Sequence, residues 1–354
     1  MQANNYKTHK EYRTAWDESY QTDPPIPLNI DIELASLCNL RCPFCFISDG
    51  SFENMIAAPA DDGKSRRRLM PKEMAFKIID QAAEIGVPAL KFNWRGESTL
   101  HPDYSEILQY ASQKALFKDG STRNIEYKSI GAWNKSSPDE IGPSFLDLLV
   151  NTNANCPDRA IDGLMATTKC MVSLDSMNPT TYNVMRRGGD LSRACEVITE
   201  LVKSKHPNLW IRRVLTKENE NEDFFGQVRK AWGDSVKISE HYCFDRNKAS
   251  SHETVSCEHD EFKNRTYCGY PSQRIIITSA GYVYPCCIDL HETMRVGDFN
   301  KQTIMEIWNG ESMQTLRKDL RENNYISEAC IKCESWMSYK APQRKFVQDV
   351  EVVK

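Results

Sequence analysis

The run Cys38-Asn39-Leu40-Arg41-Cys42-Pro43-Phe44-Cys45 constrains this chain more than any other stretch of it. A C-x3-C-x2-C loop gathers three soft thiolates on one short segment. That suits three corners of a cubane iron-sulfur cluster and leaves the fourth iron without a protein ligand. An open metal position invites a substrate or cofactor. The loop follows directly on the strand pattern Asn29-Ile30-Asp31-Ile32-Glu33-Leu34. A cluster held there sits at a strand's carboxyl end, which is where parallel sheets bind ligands.

From about residue 30 to 245 short apolar strands alternate with amphipathic helices, the pattern of a parallel sheet with crossover helices. Ala75, Ile78, Ile79 and Ala82 draw a helical stripe from about Pro71, with Gly86 placed to stop it. Ala89–Trp94 reads as the second strand. Asp103 is placed to cap a helix carrying Ile107, Leu108 and Ala111. Leu148–Thr152, Cys170–Leu174, Trp210–Val214 and Val236–Ser239 supply the remaining strands, with a helix through Ala194, Val197, Ile198, Leu201 and Val202. The expected fold is α/β, a partial (β/α)6 barrel left open rather than closed with eight strands. Residues 117 to 143 form a polar connection rich in Gly, Ser and Lys around Trp133, long enough to be functional, and read as a candidate lid.

Composition narrows the setting. The 354 residues include 13 cysteines, an odd number that argues against a complete disulfide framework and for metal-sulfur chemistry. Net charge is -4, and the one basic run, Lys64-Ser65-Arg66-Arg67-Arg68, reads as a solvated loop, so nucleic-acid binding is not expected. The first residues lack a signal peptide's apolar core and no segment is long enough to span a membrane, so the expected location is the cytoplasm. Cys156, Cys170 and Cys195 sit in or beside regular elements and read as packing residues.

After about residue 246 the pattern changes. Arg274–Thr278, a turn at Ser279-Ala280-Gly281 and Tyr282–Tyr284 signal a hairpin, and a helix is expected from about Ile304 to Leu320. The expected division is an arm at 1–29, the barrel at 30–245, a small carboxyl-terminal iron-sulfur domain at 246–340 and a tail at 341–354. The core of that small domain would be thin, so a metal cluster would supply much of its stability.

With its strand context and the aromatic Phe44 before the last cysteine, the triplet resembles the hallmark loop of the radical S-adenosylmethionine superfamily. The resemblance implies a SAM-binding 4Fe-4S cluster on Cys38, Cys42 and Cys45. Its open iron chelates S-adenosylmethionine, and reductive cleavage of that cofactor yields a 5'-deoxyadenosyl radical that abstracts hydrogen from a C-H bond. Trp94-Arg95-Gly96-Glu97 falls where the family has a Gly-Gly-Glu segment, which implies that Gly96 and Glu97 meet the methionine amino group; Arg95 departs from the usual first glycine. Ser173 and Asp175, at the end of strand four, fall where relatives often bind the cofactor ribose, and Arg213 and Asn219 occupy strand five and its exit as further cofactor-binding candidates; for all four, ordinary turn and cap roles are the alternative. Cys268, Gly281, Cys286, the Val296-Gly297-Asp298-Phe299 segment, Ile307-Trp308-Asn309 and Cys330-Ile331-Lys332-Cys333 resemble the SPASM extension or its shorter twitch form. Since no cysteine follows Cys333, the resemblance implies one auxiliary 4Fe-4S cluster on Cys268, Cys286, Cys330 and Cys333; a four-cysteine zinc site is the competitor.

The reaction implied is oxidation of a small molecule, with the auxiliary cluster as electron acceptor. Redox-neutral epimerisation is the alternative, with Cys243 the first candidate hydrogen donor and Cys257 and Cys287 behind it. Peptide modification is a third reading, and a cluster-bearing electron-transfer protein without radical chemistry a fourth. Only about 29 residues precede the first strand, too few for a peptide-recognition domain, which favours a small molecule over a peptide. An external one-electron donor such as flavodoxin or ferredoxin is the expected partner.

Overall fold

The computed structural model describes residues 8–19, 22–48, 59–117, 122–124, 140–242, 268–322 and 327–331, together with residues 6, 52, 54, 55, 324, 325 and 333. The strands in chain order are β1 (Asn29–Ile32), β2 (Ala89–Lys91), β3 (Lys114–Phe117), β4 (Thr122–Asn124), β5 (Glu140–Pro143), β6 (Asp147–Thr152), β7 (Lys169–Ser173), β8 (Leu209–Leu215), β9 (Lys237–Tyr242), β10 (Arg274–Ile277), β11 (Tyr282–Tyr284) and β12 (Gly297–Asp298). A nine-stranded sheet runs in the order β12-β11-β10-β1-β2-β6-β7-β8-β9. Its stretch from β1 to β9 is parallel throughout. The sheet does not close on itself, so the fold is the expected open partial barrel.

Period-2 burial explains why helices cover one face. β6 and β7 bury every second residue, among them Leu148, Val150, Cys170 and Val172. These join Ile30, Ile32, Leu90 and Phe92 with Ala75, Ile78, Ile79, Leu108, Val197, Ile198 and Val228 of the helices in one core. Truncating a core residue such as Ile78 to alanine costs about 2–5 kcal/mol. The alternate residues of these strands point to the opposite face of the sheet.

Helix Lys72–Ile85 matches its predicted stripe, and Gly86, at φ 85°, ends it by donating to the carbonyls of Ala82 and Ala83. Asp103 stands at the N-cap of Tyr104–Ser112 without capping it through its side chain; its carboxylate lies 3.9 Å from Lys72 instead. Helix His9–Glu18 packs Tyr12, Ala15 and Trp16 on Leu28, Ala89, Leu146 and Leu149, where β1, β2 and β6 begin. No helix among the described residues is long and apolar enough to cross a membrane.

Three findings differ from the sequence reading. The connection between the second and third barrel strands contains a three-stranded antiparallel sheet, β4-β3-β5, while Trp133 and the other candidate-lid residues at 118–121 and 125–139 lie outside the described residues. The helix expected from Ile304 to Leu320 is two, Ile304–Trp308 and Glu311–Arg321. Gly310 favours the break, and the Arg317 guanidinium closes it, 3.9 Å over the Trp308 ring and donating to the Trp308 carbonyl at 3.1 Å. Finally, the carboxyl-terminal hairpin is not a separate layer. β10 pairs in parallel with β1, Asn29 opposite Arg274 through Ile32 opposite Ile277, and Ile275, Ile277, Val283, Phe299, Ile304, Ile307 and Trp308 enter the barrel's own core. Without β10 the first barrel strand would be an open edge.

Candidate functional site

The cysteine loop is fixed between two other strand ends. Gly96 has φ 69°, and a Cβ built on it would lie 2.2 Å from the Ala35 carbonyl oxygen and 2.6 Å from that of Leu37. Only glycine permits both that conformation and that approach. The next amide, of Glu97, donates to the Leu37 carbonyl at 2.8 Å, so the predicted Gly96-Glu97 segment is docked on the residue before Cys38. The buried Glu97 carboxylate accepts from Thr99 Oγ1 at 2.7 Å, Thr152 Oγ1 at 2.9 Å and the Asn153 amide at 2.8 Å. Burial raises its pKa against the pull of these donors. Glu97 thereby ties the end of β6 to the loop, and the neighbouring Ala154 takes a left-handed φ of 58°.

Nitrogen donors surround the thiols. The Leu40 amide lies 3.4 Å from Cys38 Sγ and Asn153 Nδ2 3.8 Å from it. Arg186 Nη1 donates to Cys42 Sγ at 3.6 Å, with its guanidinium 5.5 Å from the Phe44 ring centroid. Burial, with the Glu97 carboxylate adding to it, pushes the Cys38 thiol up to about 12. Burial also raises Cys42, partly offset by Arg186. Thiols in these surroundings resist ionising alone, and a cationic metal centre overcomes that penalty.

The predicted residues at the ends of β7 and β8 come together, mostly holding one another. Asp175, at φ 66° and fully buried, pairs with Arg186 Nε at 2.6 Å and accepts from the Val214 amide at 2.7 Å. Asn219 Nδ2 donates to the carbonyls of Asp175 and Val214 at 3.0 and 2.9 Å. Arg213 is ion-paired with Glu240 and donates to the Asn219 carbonyl at 3.0 Å. Ser173, opposite Arg212, is half-buried at the strand end. Cys243 and Cys257 lie outside the described residues.

The carboxyl-terminal cysteines come from separate segments. Cys286 and Cys287 follow the hairpin, with Cys268 close enough to act on the Cys286 thiol, which is raised first by donating to Cys287 and then by burial. Asp289 accepts from Thr293 Oγ1 and from the amides of Thr293 and Met294 at 2.7–2.9 Å, shaping the loop that puts Met294 Sδ 3.6 Å from Cys330 Sγ. The Cys333 amide donates to the Cys330 carbonyl at 3.3 Å.

A buried polar seam joins the two cysteine regions. Arg95 donates to both Glu33 oxygens at 2.7 and 3.1 Å and pairs with Glu292 at 2.7 Å. Glu292, at φ 59°, also takes Arg66 at 2.6 Å and the Tyr284 hydroxyl at 3.1 Å. Burial works against the Arg95 charge, but Glu33 and Glu292 overcome it and raise the guanidinium's pKa. Beside it, Trp94 Nε1 donates to the Cys287 carbonyl at 2.9 Å. The basic run is thus committed to carboxylates at two places, Arg66 to Glu292 and Arg68 to Asp62 at 2.7 Å.

The donor set fits the implied clusters: soft thiols, three of them on one loop, with N–H groups directed at the sulfurs of Cys38 and Cys42. Among the described residues no three thiol, imidazole or carboxyl groups converge as the ligands of a single ion would. A cubane takes one thiolate per iron and keeps its cysteines further apart. The profile of the radical SAM superfamily matches residues 32–225. This chain belongs to the radical SAM superfamily. A second profile, SPASM, an iron-sulfur cluster-binding domain, matches residues 268–334. Iron-sulfur clusters and S-adenosylmethionine are therefore the cofactors of this radical SAM enzyme.

The similarity to individual relatives is distant. The GTP 3',8-cyclase of Alkaliphilus oremlandii is 23% identical over 49% of this chain, which spans 42% of that relative's length. The PqqA peptide cyclase of Xanthomonas oryzae pv. oryzae is 22% identical over 88% of the chain and 81% of the relative. The crystal structure of BtrN in complex with AdoMet and 2-DOIA superposes with a TM-score of 0.50 at 15% identity, covering 87% of this chain and 93% of that one. It shows a shared fold.

Sequence reasoning missed Arg186, Asn153, Glu33 and Glu292. Each acts across the sheet order rather than along the chain, so no local period marks it. Among the described residues, three of the four non-glycine residues with positive φ, Ala154, Asp175 and Glu292, belong to this machinery, as strained backbone at functional sites leads one to expect.

Proposed function

We propose that this radical SAM enzyme oxidises a small hydroxylated molecule by two electrons, with one auxiliary 4Fe-4S cluster on Cys268, Cys286, Cys330 and Cys333 taking the second electron. The observation that carries the reading is the bond from Trp94 Nε1 to the Cys287 carbonyl, 2.9 Å. It fastens the auxiliary cysteine turn to the strand end from which Gly96 and Glu97, two and three residues on, dock on the Cys38 loop. An electron acceptor held beside the site of hydrogen abstraction suits oxidation. Bound S-adenosylmethionine supplies the hydrogen-abstracting chemistry after reductive cleavage. The protein's part is to hold, orient and shield. Gly96 and Glu97 would hold the cofactor's methionine end, Phe44 and Ser173 would offer it half-buried surface, and Asp175, Arg213 and Asn219 brace the strand ends behind. An external flavodoxin or ferredoxin delivers the first electron. The BtrN complex supports a small-molecule ligand for this fold, whereas the PqqA peptide cyclase points to a peptide.

The test is anaerobic incubation of the reconstituted enzyme with reductant, S-adenosylmethionine and deuterated sugars or cyclitols, followed by mass spectrometry. The reading requires deuterium in 5'-deoxyadenosine and a product lighter by two hydrogens. Solvent deuterium in an unoxidised product would replace it with epimerisation. A modified peptide as the sole product would replace the small molecule.

A further inference from the structure

We propose that Arg186 is a positioning residue that sets the reduction potential of the SAM-binding cluster through Cys42, and that Asp175 limits its effect. The inference rests on the reading that Cys42 ligates that cluster. Arg186 is 8% exposed. Its Nη1 reaches Cys42 Sγ at 3.6 Å while Nε faces Asp175 Oδ2 at 2.6 Å, so one guanidinium bridges a ligand thiol and a fully buried carboxylate. The other donors to the triplet sulfurs, the Leu40 amide and Asn153 Nδ2, are neutral and serve Cys38. Arg186 thus brings the one charged donor recorded at a triplet sulfur among the described residues.

A cationic N–H donor stabilises negative charge on the sulfur, and that charge grows when the cluster gains an electron. Donors to cluster sulfurs and local net charge are among the main determinants of cluster potential. Arg186 therefore favours the reduced form, and the Asp175 carboxylate opposes it by neutralising the same guanidinium. The strained backbone at Asp175, φ 66°, is consistent with a residue held for its carboxylate rather than its conformation.

The two residues make opposite predictions, which separates this role from a merely structural one. Arg186→Gln removes the cation and should lower the reduced-to-oxidised ratio at fixed potential about tenfold, a midpoint about 59 mV more negative for one electron. Asp175→Asn keeps an acceptor for the Val214 amide and suits the left-handed backbone, since asparagine tolerates that region. It should shift the midpoint the other way. The measurement is an EPR-monitored redox titration of the reconstituted holoenzyme without S-adenosylmethionine, so that direct contact with the cofactor plays no part. Melting curves run alongside report folding. Opposite shifts, with both variants folded, establish the role. Two folded variants with the wild-type midpoint, or shifts of the same sign, overturn it. If Arg186→Gln does not fold, a wild-type midpoint in Asp175→Asn overturns it alone. A wild-type protein without the cluster signal after reconstitution would instead refute the underlying reading of Cys42.

Discussion

Cys38, Cys42 and Cys45 come from eight consecutive residues on a loop clamped by Gly96, Glu97 and Asn153, whereas Cys268, Cys286, Cys330 and Cys333 are drawn from segments more than 60 residues apart at their extremes. The first set is held by parallel strand ends that dock on its loop. The second depends on a hairpin that borrows the barrel's edge strand and on a seam of buried charges from Glu33 through Arg95 to Glu292. The contrast assigns different tasks. The local loop can present an open iron in one geometry, and the non-local set can be placed wherever the hairpin is anchored, here against Trp94.

Substitutions can break or sharpen that contrast. The largest effect is expected from Cys42→Ala, which should abolish 5'-deoxyadenosine formation while leaving visible absorbance from the auxiliary set; loss of all absorbance would mean that the two sets are not independent. Next comes Arg95→Met, which leaves the buried Glu33 carboxylate without its cation and Glu292 with Arg66 as its remaining one. Removing one partner of such a buried network costs about 3–5 kcal/mol, and urea unfolding followed at both regions should show them destabilised together. An auxiliary segment that melts first, with the barrel unaffected, would show that the seam does not couple them.

Gly96→Ala places a methyl group against two carbonyl oxygens in a left-handed conformation. The strain, about 1–3 kcal/mol, falls on the loop, so calorimetry should show S-adenosylmethionine binding weakened about tenfold or more with little change at the auxiliary set. The smallest effect is expected from Trp94→Phe. It keeps the ring but deletes the bond to the Cys287 carbonyl, worth about 1 kcal/mol, and should lower the melting temperature slightly while reducing substrate oxidation more than cofactor cleavage. Equal loss of both would remove Trp94 from the link between the regions.

The strand-helix alternation, the Gly86 stop and the hairpin were legible because each is a local pattern of period 2 or 3.6 or a turn residue. The triplet and the Gly96-Glu97 segment were legible for the same reason, as short motifs at strand ends, whereas the docking of that segment on Ala35 and Leu37 was not. What could not be read depends on strand order. Arg186 meets Cys42 across 144 positions and Ser279 donates to Glu33 across 246. Arg66 looked like part of a solvated basic run because its carboxylate partner, Glu292, lies in another part of the chain. The two-helix break at Gly310 was missed although its glycine was visible, because the Arg317 contact that stabilises the break is tertiary.

The central claim is a radical-generating cluster on the loop and a separate auxiliary cluster on the hairpin side. Iron and sulfide analysis of the anaerobically reconstituted Cys38→Ala/Cys42→Ala/Cys45→Ala variant, with its EPR spectrum, tests it most directly. The account predicts that this protein keeps the iron and sulfide of one 4Fe-4S cluster, with the reduced signal of such a cluster, and forms no 5'-deoxyadenosine. Retention of zinc without sulfide, or the loss of all iron, would contradict it.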